Sequence, residues 1–148
     1  MENAASLILS FGAKEAVIIR SGSLGAFTLS QHDTTGRWVD AFWTPDDVDR
    51  VVDVTGAGNA FLGGLAAGLT LSNGNIHEGV SPNLDIAGSL TYGYHVATLY
   101  ATISAAFTIE QAGLPLITQQ KREANIELWN NEDPFERLNQ FRKRMVQT

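Results

Sequence analysis

The sequence predicts an α/β fold in which a mostly parallel sheet is flanked by helices. Three observations predict it: an amphipathic helix followed at once by a β-branched apolar run, a glycine-rich turn where a strand hands over to a helix, and two long helices rich in small residues. Apolar Ala4, Leu7, Ile8 and Phe11 recur at helical spacing, and Gly12 follows where a helix C-cap would sit. Ala16-Val17-Ile18-Ile19 is continuously apolar, the pattern of a strand buried on both faces, and Gly22 and Gly25 punctuate its end. Residues 26–29 and 38–42 read as further strands around a polar, solvent-facing turn from His32 to Arg37.

After Val51-Val52 the chain enters Asp53-Val54-Thr55-Gly56-Ala57-Gly58-Asn59, then a helix from Asn59 to Leu71 that carries Gly63, Gly64 and Gly68. Each glycine costs roughly 1 kcal/mol against alanine inside a helix, so this one must pack very closely or approach a ligand. Ser72-Asn73-Gly74-Asn75 is expected to break it. A second long helix is predicted from Leu84 to Gln111, small along Ala97, Ala101, Ser104, Ala105 and Ala106, and stopped by Gly113-Leu114-Pro115. Asp133-Pro134-Phe135-Glu136 supplies an N-cap, a first-turn proline and a capping-box glutamate for a last helix to about Met145, whose charged face suggests a surface element.

Composition narrows the function classes. The chain has 148 residues, 44% of them hydrophobic, enough for one ordinary core. Sixteen acidic against ten basic side chains give a net charge of −6, which opposes a nonspecific grip on nucleic acid or an anionic membrane and favours small-molecule chemistry. The mildly basic tail of Arg137, Arg142, Lys143 and Arg144 is too short to outweigh that balance. With no cysteine and with histidines only at 32, 77 and 95, no thiolate or zinc spacing exists. The opening residues lack a basic n-region and no apolar stretch reaches the ~18 residues that span a bilayer, so a soluble, cytoplasmic protein is expected.

Two turns carry the chemistry: Arg20-Ser21-Gly22-Ser23-Leu24-Gly25 and, more strongly, residues 53–59. Gly56 and Gly58 remove side-chain bulk at a strand-to-helix junction, so that backbone N–H groups can converge on an anion at the positive end of the helix dipole. A dinucleotide fingerprint would need Gly or Ala where Phe61 stands, and no lysine follows Gly63 or Gly64 as a P-loop requires. A tight turn without a ligand is the plainer alternative on spacing alone.

The longer pattern, Asp53-Val54-Thr55-Gly56-Ala57-Gly58-Asn59-Ala60-Phe61, resembles the C-terminal signature of the ribokinase-like, or PfkB, carbohydrate kinases. The resemblance runs upstream through Gly12 to Ala26 and downstream through Ser104-Ala105-Ala106-Phe107-Thr108-Ile109-Glu110-Gln111, similar to the adenine-side helix in a fungal branch of that family. It implies the C-terminal part of a three-layer fold, with residues 1–118 as the nucleotide-binding portion and 119–148 as a helical extension. It implies ATP and Mg²⁺ as cofactors, phosphoryl transfer to a sugar-like alcohol, and an anion hole of Gly56, Ala57 and Gly58. Arg20, Gly22, Gly25, Ser104 and Ala105 would lie beside the nucleotide, and Asp53 and Thr55 near a monovalent cation such as K⁺.

Three departures qualify those expectations. The family's catalytic base is an aspartate, and here Asn59 stands in its place with an amide of no useful basicity; general-base help is worth about 10²–10⁴-fold, so slow or absent turnover is expected. Arg20 occupies a position where threonine is common, and serves either a phosphate or a structural salt bridge. The N-terminal half of the family fold is not evident, which leaves the strand at 16–19 with an open edge for association and makes a truncated kinase or a non-catalytic nucleotide-binding module, a pseudokinase, the two readings.

Other side chains are read as structural: His95 among Tyr92, Tyr94 and Tyr100, the solvated acids Asp46, Asp47 and Asp49, and Trp38 and Trp43 as packing residues.

Overall fold

The computed structural model describes residues 1–33, 35–77, 86–121 and 125–146. Helix α1, Glu2–Ser10, leads into strand β1, Ala16–Arg20, and the chain then turns back through β2, Ala26–Ser30, and β3, Arg37–Val39. Gly12, at φ 106°, supplies the left-handed residue that ends α1. The three strands form a sheet in the order β1-β2-β3, with Val17 opposite Leu29 and Phe27 opposite Trp38.

Both pairings in this sheet are antiparallel, where a mostly parallel sheet was expected. The connection from Arg20 to Ala26 is only five residues long, far too short for the crossover that parallel neighbours require. The expectation that β1 is buried on both faces fails for a related reason. β1 lies at the sheet edge and only Val17 is buried, whereas all five residues of central β2 are. A continuous apolar run signals burial but not position in the sheet.

Strand alternation sorts the side chains into two layers. Phe27 and Leu29 join Val17 and Ala5 of α1 on one face. On the other, Ala26 packs with Phe61 and Ala101, and the Thr28 and Thr98 hydroxyls lie 3.1 Å apart. Those partners belong to α2, Ala57–His77, and α3, Ile86–Ile109. The described part is therefore α1, sheet, then α2 with α3.

Helix α2 continues through Ser72-Asn73-Gly74-Asn75 to His77, past the break expected there, so one glycine did not outweigh the helix around it. α2 and α3 run antiparallel, since Gly64 faces Ala101 and Gly68 faces Ala97. A β-carbon at Gly64 would stand 2.8 Å from the Tyr100 carbonyl oxygen and 2.9 Å from Ala101 Cα; at Gly68 it would stand 2.7 Å from Ala97 Cα. Gly64 and Gly68 thus permit backbone contact, one of the two explanations their cost demanded.

A hairpin of β4, Ile117–Lys121, and β5, Asn125–Trp129, follows α3 and was not anticipated from the sequence. The last helix, α4, Pro134–Val146, opens on Asp133, whose Oδ1 accepts from the N–H groups of Phe135 at 2.8 Å and Glu136 at 3.3 Å. α4 is more than a surface element: Leu138 and Phe141 complete a core with Val39, Leu99, Ile103 and Phe107. Arg137, from its supposedly charged outer face, is 4% exposed. Among the described residues no helix is long and apolar enough to cross a membrane.

Candidate functional site

Strand β1 ends on Arg20, and the next five residues form a 3₁₀ turn closed by Ser21 N–H to the Gly25 carbonyl at 2.7 Å and Gly25 N–H to the Gly22 carbonyl at 3.0 Å. Glycine is required at 25 twice over. Its φ is 90°, and a β-carbon would run into the carbonyl oxygen of Val39. This turn faces a second irregular stretch, Ala41 to Val51, which contains a 3₁₀ segment at Pro45–Arg50. There the Asp47 carboxylate accepts from both the hydroxyl of Thr44, at 2.7 Å, and its N–H, at 3.0 Å, and these bonds hold its pKa below the ordinary carboxylate value.

The glycine turn completes the arrangement. The N–H groups of Val52 and Asp53 both donate to the Ile109 carbonyl, at 2.8 and 3.2 Å, which fastens the turn to the end of α3. Asp53 Oδ1 accepts from Thr55 N–H at 2.9 Å, and the Thr55 hydrogen bonds, backbone first, keep the Asp53 carboxyl ionised below its usual range. Gly56 takes φ 83°, a left-handed value natural only to glycine. Ala57 N–H then bonds the Val54 carbonyl and Ala60 N–H the Gly56 carbonyl, while the N–H groups of Gly58 and Asn59 have no acceptor among the described residues.

These stretches enclose a cavity of about 850 Å³, the size of a cofactor site. It gathers Arg20, Gly22, Gly25, Ala57, Gly58 and Ala105 in one wall system. Arg20 reaches across to α2: its Nη1 occupies the space a β-carbon at Gly58 would fill, and its guanidinium carbon stands 5.8 Å from the centroid of the Phe61 ring. No carboxylate lies within ion-pair distance of Arg20 among the described residues, so the structural salt bridge considered for it is not formed there. Backbone donors at a helix start and a cation of its own accord with an anionic ligand. No group of three His, Asp or Glu side chains is assembled for a metal among the described residues.

The remaining sequence-expected residues are placed differently. Asp53, Thr55, Gly56 and Asn59 belong to the same turn but do not line the cavity, and Asn59 is exposed. Ser104 turns away from it: it abuts Gly64 and lines a second, largely apolar cavity of about 710 Å³ between α2, β5 and the start of α4. One helical step separates Ser104 from Ala105, enough to put them on different faces. Sequence reasoning missed Phe42, Trp43, Val48, Thr102 and Ile109, which supply much of the large cavity's wall. Trp43 does pack, edge-on against Phe42 with ring centroids 4.7 Å apart, and its outer side lines the cavity as well. Trp38 does pack, against Phe27 with ring centroids 5.4 Å apart.

His95 sits half-buried on α3 with Nδ1 lacking a partner among the described residues, and burial first, then the Arg37 charge, lower its pKa. It takes no part in the cavity.

Comparison with known proteins bears on the same residues. An uncharacterized protein of Schizosaccharomyces pombe is 33% identical over 136 residues, covering 84% of this chain and 32% of that protein. Protein MAK32 of Saccharomyces cerevisiae is 31% identical over 100 residues, covering 66% of this chain and 22% of its own length. The chain therefore spans about a third or less of the curated relatives it matches. No solved structure matches it. The model of the pfkB family carbohydrate kinases matches residues 1–111, which take in both glycine turns and all the elements around the large cavity, and the chain belongs to that family.

Proposed function

We propose that this chain carries the nucleotide-binding portion of a carbohydrate kinase, with ATP in the large cavity and little or no phosphoryl transfer by the chain alone. The observation that carries the reading is the convergence of Arg20, Gly22, Gly25, Ala57, Gly58 and Ala105, distant in sequence, on one cavity at the N-terminus of α2. In this reading the phosphates meet Ala57 and Gly58, behind which Gly56 makes the turn, and the Arg20 guanidinium, while the base lies between Phe42, Trp43, Thr102 and Ala105. Bound ATP with Mg²⁺ supplies the transferable phosphoryl group. A divalent ion held through phosphate oxygens needs no dedicated protein cage, so the donor set is compatible with it. A monovalent cation beside Asp53 and the Thr55 carbonyl fits an Asp53 carboxyl that stays ionised.

What the chain's own groups do is bind and stabilise charge. Backbone N–H groups and Arg20 favour the phosphoryl group as negative charge moves during transfer. Deprotonation of the acceptor alcohol is the step this chain lacks. An aspartate at position 59 would accept that proton; Asn59 can only orient the hydroxyl through its amide. The sugar-like acceptor and any wider activity belong to a longer protein in this reading, since the chain matches a third or less of its relatives. Asn59 also favours a second reading, a nucleotide-binding module without catalysis.

Calorimetry decides the binding claim. The wild-type chain should take up ATP, and Gly58→Trp, which puts a bulky ring into the cavity wall beside Arg20, should not. Equal affinity in the two proteins would rule out a phosphate site at this turn.

A further inference from the structure

Ala41, Phe42 and Trp43 lie beyond the end of β3 and outside any helix, yet they form one wall of the large cavity. Their support comes from α4. The Trp43 indole N–H donates to Glu110 Oε1 at 2.9 Å, and Arg137 Nη1 bonds the same oxygen. Arg137 also holds Glu132, through Nε at 2.9 Å and Nη2 at 2.6 Å, while Asn130 Nδ2 donates to Glu110 Oε2 at 3.0 Å. The Arg137 guanidinium carbon lies 3.7 Å from the Phe107 ring centroid, 5.1 Å from that of Phe42 and 5.6 Å from that of Trp43. Arg144, two turns on, donates from Nη2 to the Phe42 carbonyl at 2.8 Å, and its guanidinium carbon lies 5.1 Å from the centroid of the Phe42 ring. Phe42 in turn meets Phe141 of α4 edge-on, with centroids 5.6 Å apart.

We infer that Arg137 and Arg144 are positioning residues for the base-binding wall of the cavity, so that the C-terminal helix sets nucleotide affinity without touching nucleotide. Neither arginine lines the cavity, and both lie beyond residue 111, where the family match ends. The inference rests on the nucleotide reading and adds a specific claim to it. Glu110 carries one oxygen shared by Trp43 and Arg137, so its carboxylate relays the position of α4 to the indole. Without Arg137 that half-buried carboxylate keeps only neutral donors and is free to rotate away from Trp43. Arg144 acts on the adjacent residue through the backbone. The phosphate end of the cavity, built from Arg20 and Gly58, shares none of these bonds.

That asymmetry provides the test. ATP and inorganic tripolyphosphate are titrated into the full 148-residue chain, into Arg137→Gln and into Arg144→Ala, with the Trp43 indole ¹H–¹⁵N signal, identified by its loss in Trp43→Phe, followed in parallel. Loss of such a relay is expected to weaken ATP binding about tenfold in Arg137→Gln and about threefold in Arg144→Ala, to leave tripolyphosphate within about twofold, and to shift the indole signal. Unchanged ATP affinity in both variants overturns the inference, as does an equal loss for ATP and tripolyphosphate, which marks general loosening. If Arg137→Gln does not fold, Arg144→Ala decides alone, because its exposed side chain leaves the core intact. Wild-type chain that binds no ATP overturns the nucleotide reading itself, a result distinct from variants that bind like wild type.

Discussion

Arg20 lies across Gly58, its Nη1 close enough to clash with a β-carbon there, so the end of β1 brings a cation to the start of α2, where the Gly58 and Asn59 N–H groups have no acceptor among the described residues. A charged hydrogen bond to a phosphate is worth about 1.5–3 kcal/mol, so Arg20→Met should weaken ATP binding by at least about tenfold. Gly58→Ala should displace the guanidinium rather than unfold the protein, since the group it meets is the end of a flexible side chain. Calorimetry on the two single variants and the double variant should give a combined loss smaller than the sum, because both act on one contact.

In the proposed reading, turnover hinges on the residue at position 59. Restoring the carboxylate by Asn59→Asp should raise phosphoryl transfer by about 10²–10⁴-fold in a longer protein that includes the acceptor-binding part, and should leave ATP affinity nearly unchanged. Coupled-assay turnover with and without the substitution measures this. Ordinary kinase rates with Asn59 in place would refute the impaired-catalyst reading.

The glycines of α2 separate into two kinds. At Gly68 a β-carbon would press on Ala97 backbone, so Gly68→Ala should cost about 1–3 kcal/mol in urea denaturation. Gly63 has nothing within 4 Å, and Gly63→Ala should stabilise the protein by about 1 kcal/mol through helix propensity alone. No loss at Gly68, or a loss at Gly63 as large as that at Gly68, would contradict the packing of α2 on α3.

His95 predicts a pH dependence of stability. Burial lowers its folded-state pKa below the ordinary 6.5, so the unfolded chain binds the proton more readily. Stability is fully present above the unfolded value and is lost as pH falls from there toward the folded value. Thermal unfolding at pH 7.5 and 5.5 should show a drop in Tm for wild type that is smaller in His95→Gln.

Sequence patterning reached the local elements well. The helix ended by Gly12, the two apolar strands, the turn at 53–59 and the capped helix at Asp133 all follow from spacing and cap chemistry that act within a few residues. Two kinds of feature escaped it. Strand direction depends on which neighbour closes the ladder, and the apolar run of β1 is compatible with an edge strand or a central one. The fate of Arg137 was also hidden, because its partners Glu110 and Glu132 and the rings of Phe42, Trp43 and Phe107 come from three separate segments.

The sequence by itself determined the family signature, the glycine turn Gly56-Ala57-Gly58 at the start of a helix and the absence of a carboxylate at position 59, because each is a matter of residue type and near spacing. Only the tertiary structure decided that Arg20 and Gly58 meet, that Ala105 rather than Ser104 faces the cavity, and that α4 braces Phe42 and Trp43. Those outcomes depend on how strands, helices and buried charges are brought together over long chain separations, where no local pattern carries the information.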